Sequence, residues 1–356
     1  MNASILATPS LFGLRGEAAH EKLLFVTDEK TAMRAIVAVH STARGPAFGG
    51  CRYWQYDSEE AALSDVLRLS RGMSLKNAMA DLPFGGGKAV ILKDSSQRER
   101  AGLFRAFGRA VQSLAGEYIS GEDVGTTVED LLEVRSETTF AAGIPREGGF
   151  GGNPSPKTAL GVFAAIERGC GLLLGGASLQ GLTVAVQGLG SVGWALAEHL
   201  HAAGCRLIVA DVDAARVAAA RERFNARAVS PLKITAQAAD VFAPCALGAT
   251  LNGASIPALK VRMIAGAANN QLATEADGDA LHARGIAYLP DYLVNAGGIV
   301  SCAREYQGGA ESALVDAEVM RIADRVEALI ERAAGSGESL ARTADQWARE
   351  KLLLAH

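Results

Sequence analysis

Ten consecutive residues constrain this chain more than any others: Val184-Ala185-Val186-Gln187-Gly188-Leu189-Gly190-Ser191-Val192-Gly193. An apolar run ends in glycines at a G-x-G-x-x-G spacing, and a helical stretch, Val192–Ala203, follows. Because the chain has 40 glycines, the spacing alone means little, and its setting carries the argument. A strand that passes through this turn into a helix needs Gly188 for the tight turn, Gly190 for close approach of a pyrophosphate, and Gly193 for helix–strand packing. The free N–H groups at the helix start then face the phosphates. A second strand, Arg206–Ala210, ends in Asp211. A carboxylate there accepts hydrogen bonds from the adenosine ribose hydroxyls and repels a 2′-phosphate. The expected cofactor is therefore NAD rather than NADP, held by Gly188, Leu189, Gly190, Ser191, Val192, Gly193 and Asp211.

This motif opens the second of two α/β series. At 356 residues the chain is long for one domain. The front third alternates strands (Leu23–Thr27, Arg34–His40, Ala89–Leu92, Tyr118–Ser120) with helices, one from Ser58 and another over Arg98–Ala115. Ser58 suits an N-cap, and Glu59 and Glu60 suit the positive end of the helix dipole. Gly, Pro, Asn and Ser then dominate between Gly143 and Pro156, which reads as a hinge. Beyond it come a helix from about Lys157 to Leu174 and the strands Val184–Gln187, Leu207–Ala210, Val241–Ala243 and Met263–Ala265. These are continuously apolar, as in a parallel sheet covered on both faces. The stretch Ala310–Ile330 reads as one amphipathic helix. Domain boundaries fall at 1–145 for a substrate-binding, catalytic domain and 150–334 for a dinucleotide-binding domain. A C-terminal helix at about 335–356 is expected to pack back on the first.

A net charge of −4, with acids and bases mixed throughout, leaves no basic stripe for nucleic acid or an anionic membrane. No apolar run approaches the ~20 residues that cross a bilayer. The first twenty residues have no basic start and no long apolar core, so no signal peptide is expected. Five scattered cysteines without a C-x-x-C pair argue against a disulfide framework and a zinc site; no metal is expected. Together these features predict a cytoplasmic protein acting on a small molecule.

Lys76 and Lys88 lie twelve residues apart around Gly85-Gly86-Gly87. A phosphate loop is excluded, because Ala89 rather than Ser or Thr follows Lys88 and a strand follows where a helix is needed. The chemical alternative is a lysine held by flexible backbone in a partly dry cleft beside a second cation, an environment in which an amine can act as a base near neutrality.

Several blocks, in order, resemble the leucine/phenylalanine/valine dehydrogenase branch of the glutamate dehydrogenase superfamily. They are Gly45-Pro46-Ala47-Phe48-Gly49-Gly50-Cys51-Arg52, Lys76 through Lys88, Gly121-Glu122-Asp123-Val124-Gly125-Thr126-Thr127, and Gly152-Asn153-Pro154-Ser155-Pro156. Phe242 through Gly248, Ala265 through Gln271, Pro290-Asp291-Tyr292 and Asn295-Ala296-Gly297-Gly298 continue the series. The resemblance implies an α/β protein of two domains, an N-terminal mixed α/β catalytic domain and a Rossmann-type dinucleotide-binding domain with a cleft between them. The reaction it implies is NAD-dependent, reversible oxidative deamination of an L-amino acid to the 2-oxo acid and ammonia, in a homo-oligomer. Lys76 would bind the substrate carboxylate, helped by the backbone of Gly50; Lys88 would be the general base that activates water, and Asp123 the proton shuttle. Thr158, Asn269 and Asn295 would line the nicotinamide end, with Cys245 and Ala246 as contacts near the cofactor.

The family pattern also places Phe48, Ile299 and Cys302 around the substrate side chain. Glutamate-specific members carry a lysine where this chain has Phe48, so a distal carboxylate would meet an aromatic ring. A hydrophobic amino acid is expected, leucine or valine first, with an aromatic one as the alternative. A non-catalytic relative is disfavoured by the intact Lys76, Lys88 and Asp123.

Overall fold

The computed structural model describes residues 19–97, 99–145, 151–176, 178–246, 248–308 and 311–353. It divides into two compact units, one taking in the chain up to Ile144 and the residues after Lys351, the other spanning Pro145–Lys351.

In the first unit, β1 (Lys22–Asp28) and β2 (Met33–Ser41) form a hairpin, followed by β3 (Ala47–Trp54), α1 (Glu59–Met79) and β4 (Gly85–Leu92). The unit continues with α2 (Arg100–Ser113), β5 (Tyr118–Glu122) and α3 (Val128–Arg135). The sheet order is β1-β2-β4-β3-β5; β3 runs parallel to β4 and β5, whereas β2 is antiparallel to both β1 and β4. Strand β2 is apolar at almost every position because both its faces are covered. Val37 and Val39 join Phe104 and Phe107 of α2 on one side, while Ile36 and Ala38 join Ala62 and Val66 of α1 on the other. Helix α1 begins where its sequence indicates, with the Ser58 side chain accepting from the Ala61 amide at 3.1 Å.

The second unit starts with α4 (Ser155–Leu173), β6 (Thr183–Gln187), α5 (Ser191–Ala202), β7 (Arg206–Ala210), α6 (Ala214–Phe224) and β8 (Arg227–Ala228). Then come β9 (Val241–Pro244), β10 (Met263–Ile264), α7 (Glu275–Ala283), β11 (Ala287–Tyr288) and α8 (Asp291–Val294). Four helices close it: α9 (Gly297–Gln307), α10 (Ser312–Met320), α11 (Ile322–Ser336) and α12 (Leu340–Leu353). Its six parallel strands lie in the order β8-β7-β6-β9-β10-β11. This is the doubly wound dinucleotide-binding order, and the reversal between β6 and β9 makes a crevice at the carboxyl ends of those two strands.

Two differences from the sequence reading are instructive. Gly85-Gly86-Gly87 is not flexible backbone before a strand; it is the buried first half of β4. A Cβ on Gly85 would lie 1.9 Å from the Ser41 carbonyl oxygen, and one on Gly86 would lie 2.1 Å from the Ser74 amide nitrogen. The glycines are there for close packing. The stretch read as one helix over Ala310–Ile330 breaks at Arg321, whose amide donates to Glu318 three residues back, and fully buried Ile322 begins α11. Nothing in the helical periodicity marks that turn. Helix α12 bonds within the second unit, through Arg342 to Asp279 at 2.5 Å and Tyr292 to Asp345 at 2.8 Å, while its last residues, Leu352 and Leu353, group with the first unit. Residues 146–150 of the expected hinge and the first eighteen residues lie outside the described residues, as does Arg98 at the start of the helix read over Arg98–Ala115.

Candidate active site

In the first unit, the carboxyl half of β3, the middle of β4 and the end of β5 bring three charged side chains together. Lys88, 5% exposed, projects from the interior of β4. Its ammonium lies 3.1 Å from Oδ2 of Asp123, just past the end of β5. The same oxygen accepts from Nε of Arg52 on β3 at 3.0 Å. Arg52 in turn donates to Asp65 at 2.8 Å, and the Tyr56 hydroxyl donates to that same carboxylate at 2.7 Å. Burial pushes the Asp123 pKa up, but Lys88 and Arg52 outweigh it and hold the carboxyl down at about 2. Asp123 is therefore a fixed carboxylate at neutral pH. The group facing Lys88 is this anion.

The backbone around the triad is equally specified. The Thr126 hydroxyl accepts from the Asp123 amide at 2.8 Å and donates to the Asp123 carbonyl, which fixes the turn carrying the acid. The Tyr118 hydroxyl lies within bonding distance of the Gly49 and Gly50 carbonyls, at 2.9 and 3.2 Å. A Cβ on Gly50 would sit 3.0 Å from Cβ of Asp123 and 2.5 Å from the Glu122 carbonyl oxygen, so only glycine lets these strands approach so closely. Lys76 lies half-buried in the last turn of α1, in the same unit. Phe48 is 1% exposed and stacks on Phe84 with ring centroids 5.0 Å apart. The other two side-chain-pocket candidates, Ile299 and Cys302, belong to the second unit, half-buried one turn apart on α9.

In the second unit, Gly188 follows β6 with φ +94°, a left-handed conformation that glycine adopts without strain. A Cβ on Gly193 would lie 1.9 Å from the Gly188 carbonyl oxygen, and one on Gly188 would lie 2.9 Å from Cβ of Ala246. The glycine turn thus packs against Cys245 and Ala246 at the end of β9, at the strand-order reversal. Gly190 caps α5 without any side-chain hydrogen bond, leaving the helix N–H groups open. Leu189 is buried, Ser191 exposed and Val192 intermediate. At the end of β7, Asp211 accepts from the Leu189 amide at 2.5 Å and the Asp213 amide at 2.8 Å. Burial raises the Cys245 thiol to about 12, leaving it a neutral group.

Two of the nicotinamide-end candidates, Asn269 and Asn295, also meet in this unit. Asn295 donates to the Asn269 side chain at 2.9 Å and to the Ala267 carbonyl at 3.1 Å. Its Oδ1 is buried without a hydrogen-bond partner among the described residues. Thr158 lies on α4 opposite Gly298, where a Cβ would be 2.5 Å from the Thr158 hydroxyl. An open turn at a helix start, an acid on the next strand and an orphaned buried acceptor together fit a dinucleotide. No group of three or more His, Cys, Asp or Glu among the described residues is arranged to hold a metal ion.

Residues 20–139 match the family model described as Glu/Leu/Phe/Val dehydrogenase, dimerisation domain, and residues 207–352 match Glutamate/Leucine/Phenylalanine/Valine dehydrogenase. The chain belongs to the Glu/Leu/Phe/Val dehydrogenase family. It is 46% identical to a leucine dehydrogenase of Bacillus subtilis (strain 168), over 96% of this chain and 94% of that protein. Identity to a phenylalanine dehydrogenase of Bacillus thermotolerans is 42%, over 91% and 85%. The crystal structure of L-tryptophan dehydrogenase from Nostoc punctiforme superposes with TM-score 0.81 at 40% identity, covering 95% of this chain and 97% of that one. The chain is thus an amino-acid dehydrogenase.

For a dehydrogenase of this family, the sequence reading missed Arg52, Asp65 and Tyr56. Arg52 was visible only as the last residue of a glycine-rich block. Its partner Asp65 lies thirteen residues away on α1, and nothing in the spacing couples it to Asp123. No helix among the described residues is long and apolar enough to cross a membrane.

Proposed function

We propose that this dehydrogenase catalyses NAD-dependent, reversible oxidative deamination of a hydrophobic L-amino acid, leucine or valine in preference, to the 2-oxo acid and ammonia. The observation that carries the reading is the buried Lys88–Asp123 pair beside Gly50, with Arg52 fixing the acid. When bound, the nicotinamide supplies a hydride acceptor for the amino-acid Cα. Lys76 and the Gly50 backbone hold the substrate carboxylate, since an anion brought into a site this dry needs a cation. Lys88, in its neutral amine form, takes the proton from the water that attacks the oxidised carbon, and Asp123, a carboxylate at rest, relays protons between the reacting nitrogen and Lys88. Asn269 and Asn295 orient the nicotinamide end, where the unpartnered Oδ1 of Asn295 suits an N–H donor. Asp211 selects NAD, its charge repelling a 2′-phosphate.

Phe48 bears on the choice of substrate. Its ring is already stacked on Phe84 and almost fully buried, which favours a branched aliphatic side chain over an aromatic one that would need a free face. The relatedness to proteins named phenylalanine and L-tryptophan dehydrogenases supports the aromatic alternative. We place the enzyme in the cytoplasm as a homo-oligomer; the match to a dimerisation domain supports the assembly.

The test is NAD reduction with a panel of amino acids at alkaline pH, for the wild type and Lys88→Ala. Leucine and valine are expected to give the highest kcat/KM. The variant is expected to lose at least ~10²-fold in kcat, as removal of a general base typically does, with NADH binding intact. Phenylalanine or tryptophan as best substrate would select the aromatic alternative, glutamate would overturn the substrate class, and near-normal turnover by Lys88→Ala would overturn the assignment of the base.

A further inference from the structure

The turn between β7 and α6 carries a cation that the glycine motif does not account for. Asp213 caps α6, accepting from the amides of Ala215 at 2.9 Å and Arg216 at 3.3 Å. The Arg216 side chain folds back on its own cap, with Nε 3.3 Å from Asp213 Oδ2. That tether aims the far end of the guanidinium at the glycine turn. One terminal nitrogen lies 4.0 Å from the point a Cβ on Gly190 would occupy, and it is the only non-neighbouring heavy atom of the described residues within that distance. The space over Gly190 is otherwise open, whereas a Cβ on Gly188 or Gly193 would collide with protein atoms.

Charge sharpens the point. Gly190 caps α5, and the uncapped N–H groups there offer only partial positive charge to an anion. Asp211 and Asp213 both lie nearby on the same turn, so an incoming diphosphate meets two carboxylates. Arg216 offsets one of them and presents a full charge, with donors in a planar fork suited to a phosphoryl group. As a stability element it counts for little: the pair is exposed, with side chains 53% and 44% accessible, and joins residues three apart on a helix.

We propose that Arg216, held by Asp213, is a binding residue for the diphosphate of the dinucleotide at Gly190. This rests on the dinucleotide reading of the second unit. The contact is with the diphosphate common to NAD and NADP, because the guanidinium points at Gly190, and Asp211 guards the ribose.

Calorimetric titration of the full-length protein with ADP-ribose, NADH, NADPH and adenosine tests this, comparing wild type with Arg216→Ala and Arg216→Gln. ADP-ribose carries the diphosphate without nicotinamide, and adenosine lacks phosphate altogether. The expected result is about a tenfold loss of affinity for ADP-ribose, NADH and NADPH alike, as for one charge-assisted contact, with adenosine unchanged. Melting temperatures should match the wild type, and Arg216→Gln guards against a folding defect peculiar to the shorter side chain. Equal ADP-ribose affinity in wild type and both variants overturns the proposal while leaving the cofactor site standing. A loss confined to NADPH overturns it in favour of a 2′-phosphate contact. Failure of the wild type to bind ADP-ribose overturns the dinucleotide reading, and this inference with it.

Discussion

Asp123 shows how one buried side chain can carry a whole site. Two cations converge on a single oxygen, Lys88 at 3.1 Å and Arg52 at 3.0 Å, and hold its carboxyl at about 2 against the opposing effect of burial. Its pKa in the folded state is below the unfolded value near 4, so its contribution to stability is complete above that value and is lost as pH falls toward 2. A shift of this size corresponds to about 2 kcal/mol. Asp123→Asn is therefore expected to destabilise the protein by about that much or more at pH 7, since Lys88 and Arg52 lose their counter-charge. The gap to wild type should close as pH drops below 4. Urea titrations of both proteins between pH 3 and 7 check this, and a gap independent of pH would show that the charge on Asp123 is not what stabilises the fold. The residues named from sequence, Lys88 and Asp123, do meet. Arg52, which holds them, escaped notice because an arginine within a strand has no spacing signature, and its partners come from α1 and from the turn after β5.

Among elements, the glycines separate into those that turn the chain and those that let elements touch. Gly188 turns; Gly85, Gly86 and Gly193 allow contact. The G-x-G-x-x-G spacing made α5 and its turn legible, because packing there follows from a short local motif. In β4 the same residue type was read as flexibility, because the atoms a Cβ would strike belong to Ser41, Ser74 and Tyr118, all remote in sequence. Strand β3 escaped for the same reason: Gly49 and Gly50 lower its strand propensity, and only pairing with β4 and β5 restores it. Gly193→Ala should show the cost of contact. Its Cβ would fall 1.9 Å from the Gly188 carbonyl oxygen, so α5 must move away from the turn. A loss of about 1–3 kcal/mol, typical of overpacking, is expected together with weaker NADH binding. Gly253→Ala is the control, since no non-neighbouring heavy atom of the described residues lies within 4 Å of its Cβ position. If the two variants melt and bind alike, the close approach of α5 to the turn does not matter.

At the scale of the whole molecule, each unit has its own core, one on the two faces of a mixed sheet and the other between a parallel sheet and the helices and connections packed on it. The candidate cofactor residues Gly188 to Gly193, Asp211, Cys245, Ala246, Asn269 and Thr158 all belong to the second. The proposed ligand should therefore report on stability by mass action: a ligand that binds only the folded state stabilises it by RT ln(1 + [L]/Kd), about 2.7 kcal/mol at a hundredfold excess over Kd. For a unit of this size a shift of several degrees in melting temperature follows, at about 2–4 °C per kcal/mol. NADH is expected to raise the melting temperature in a concentration-dependent way, and NADPH to do so only at much higher concentration, because its 2′-phosphate meets the Asp211 carboxylate. In Asp211→Ala the two cofactors should draw closer, mainly through weaker stabilisation by NADH, which loses the partner of its ribose hydroxyls. Differential scanning fluorimetry of both proteins across a range of each cofactor measures all four curves. Equal shifts by NADH and NADPH in the wild type would mean that Asp211 stays bonded to the Leu189 and Asp213 amides and never meets the ribose.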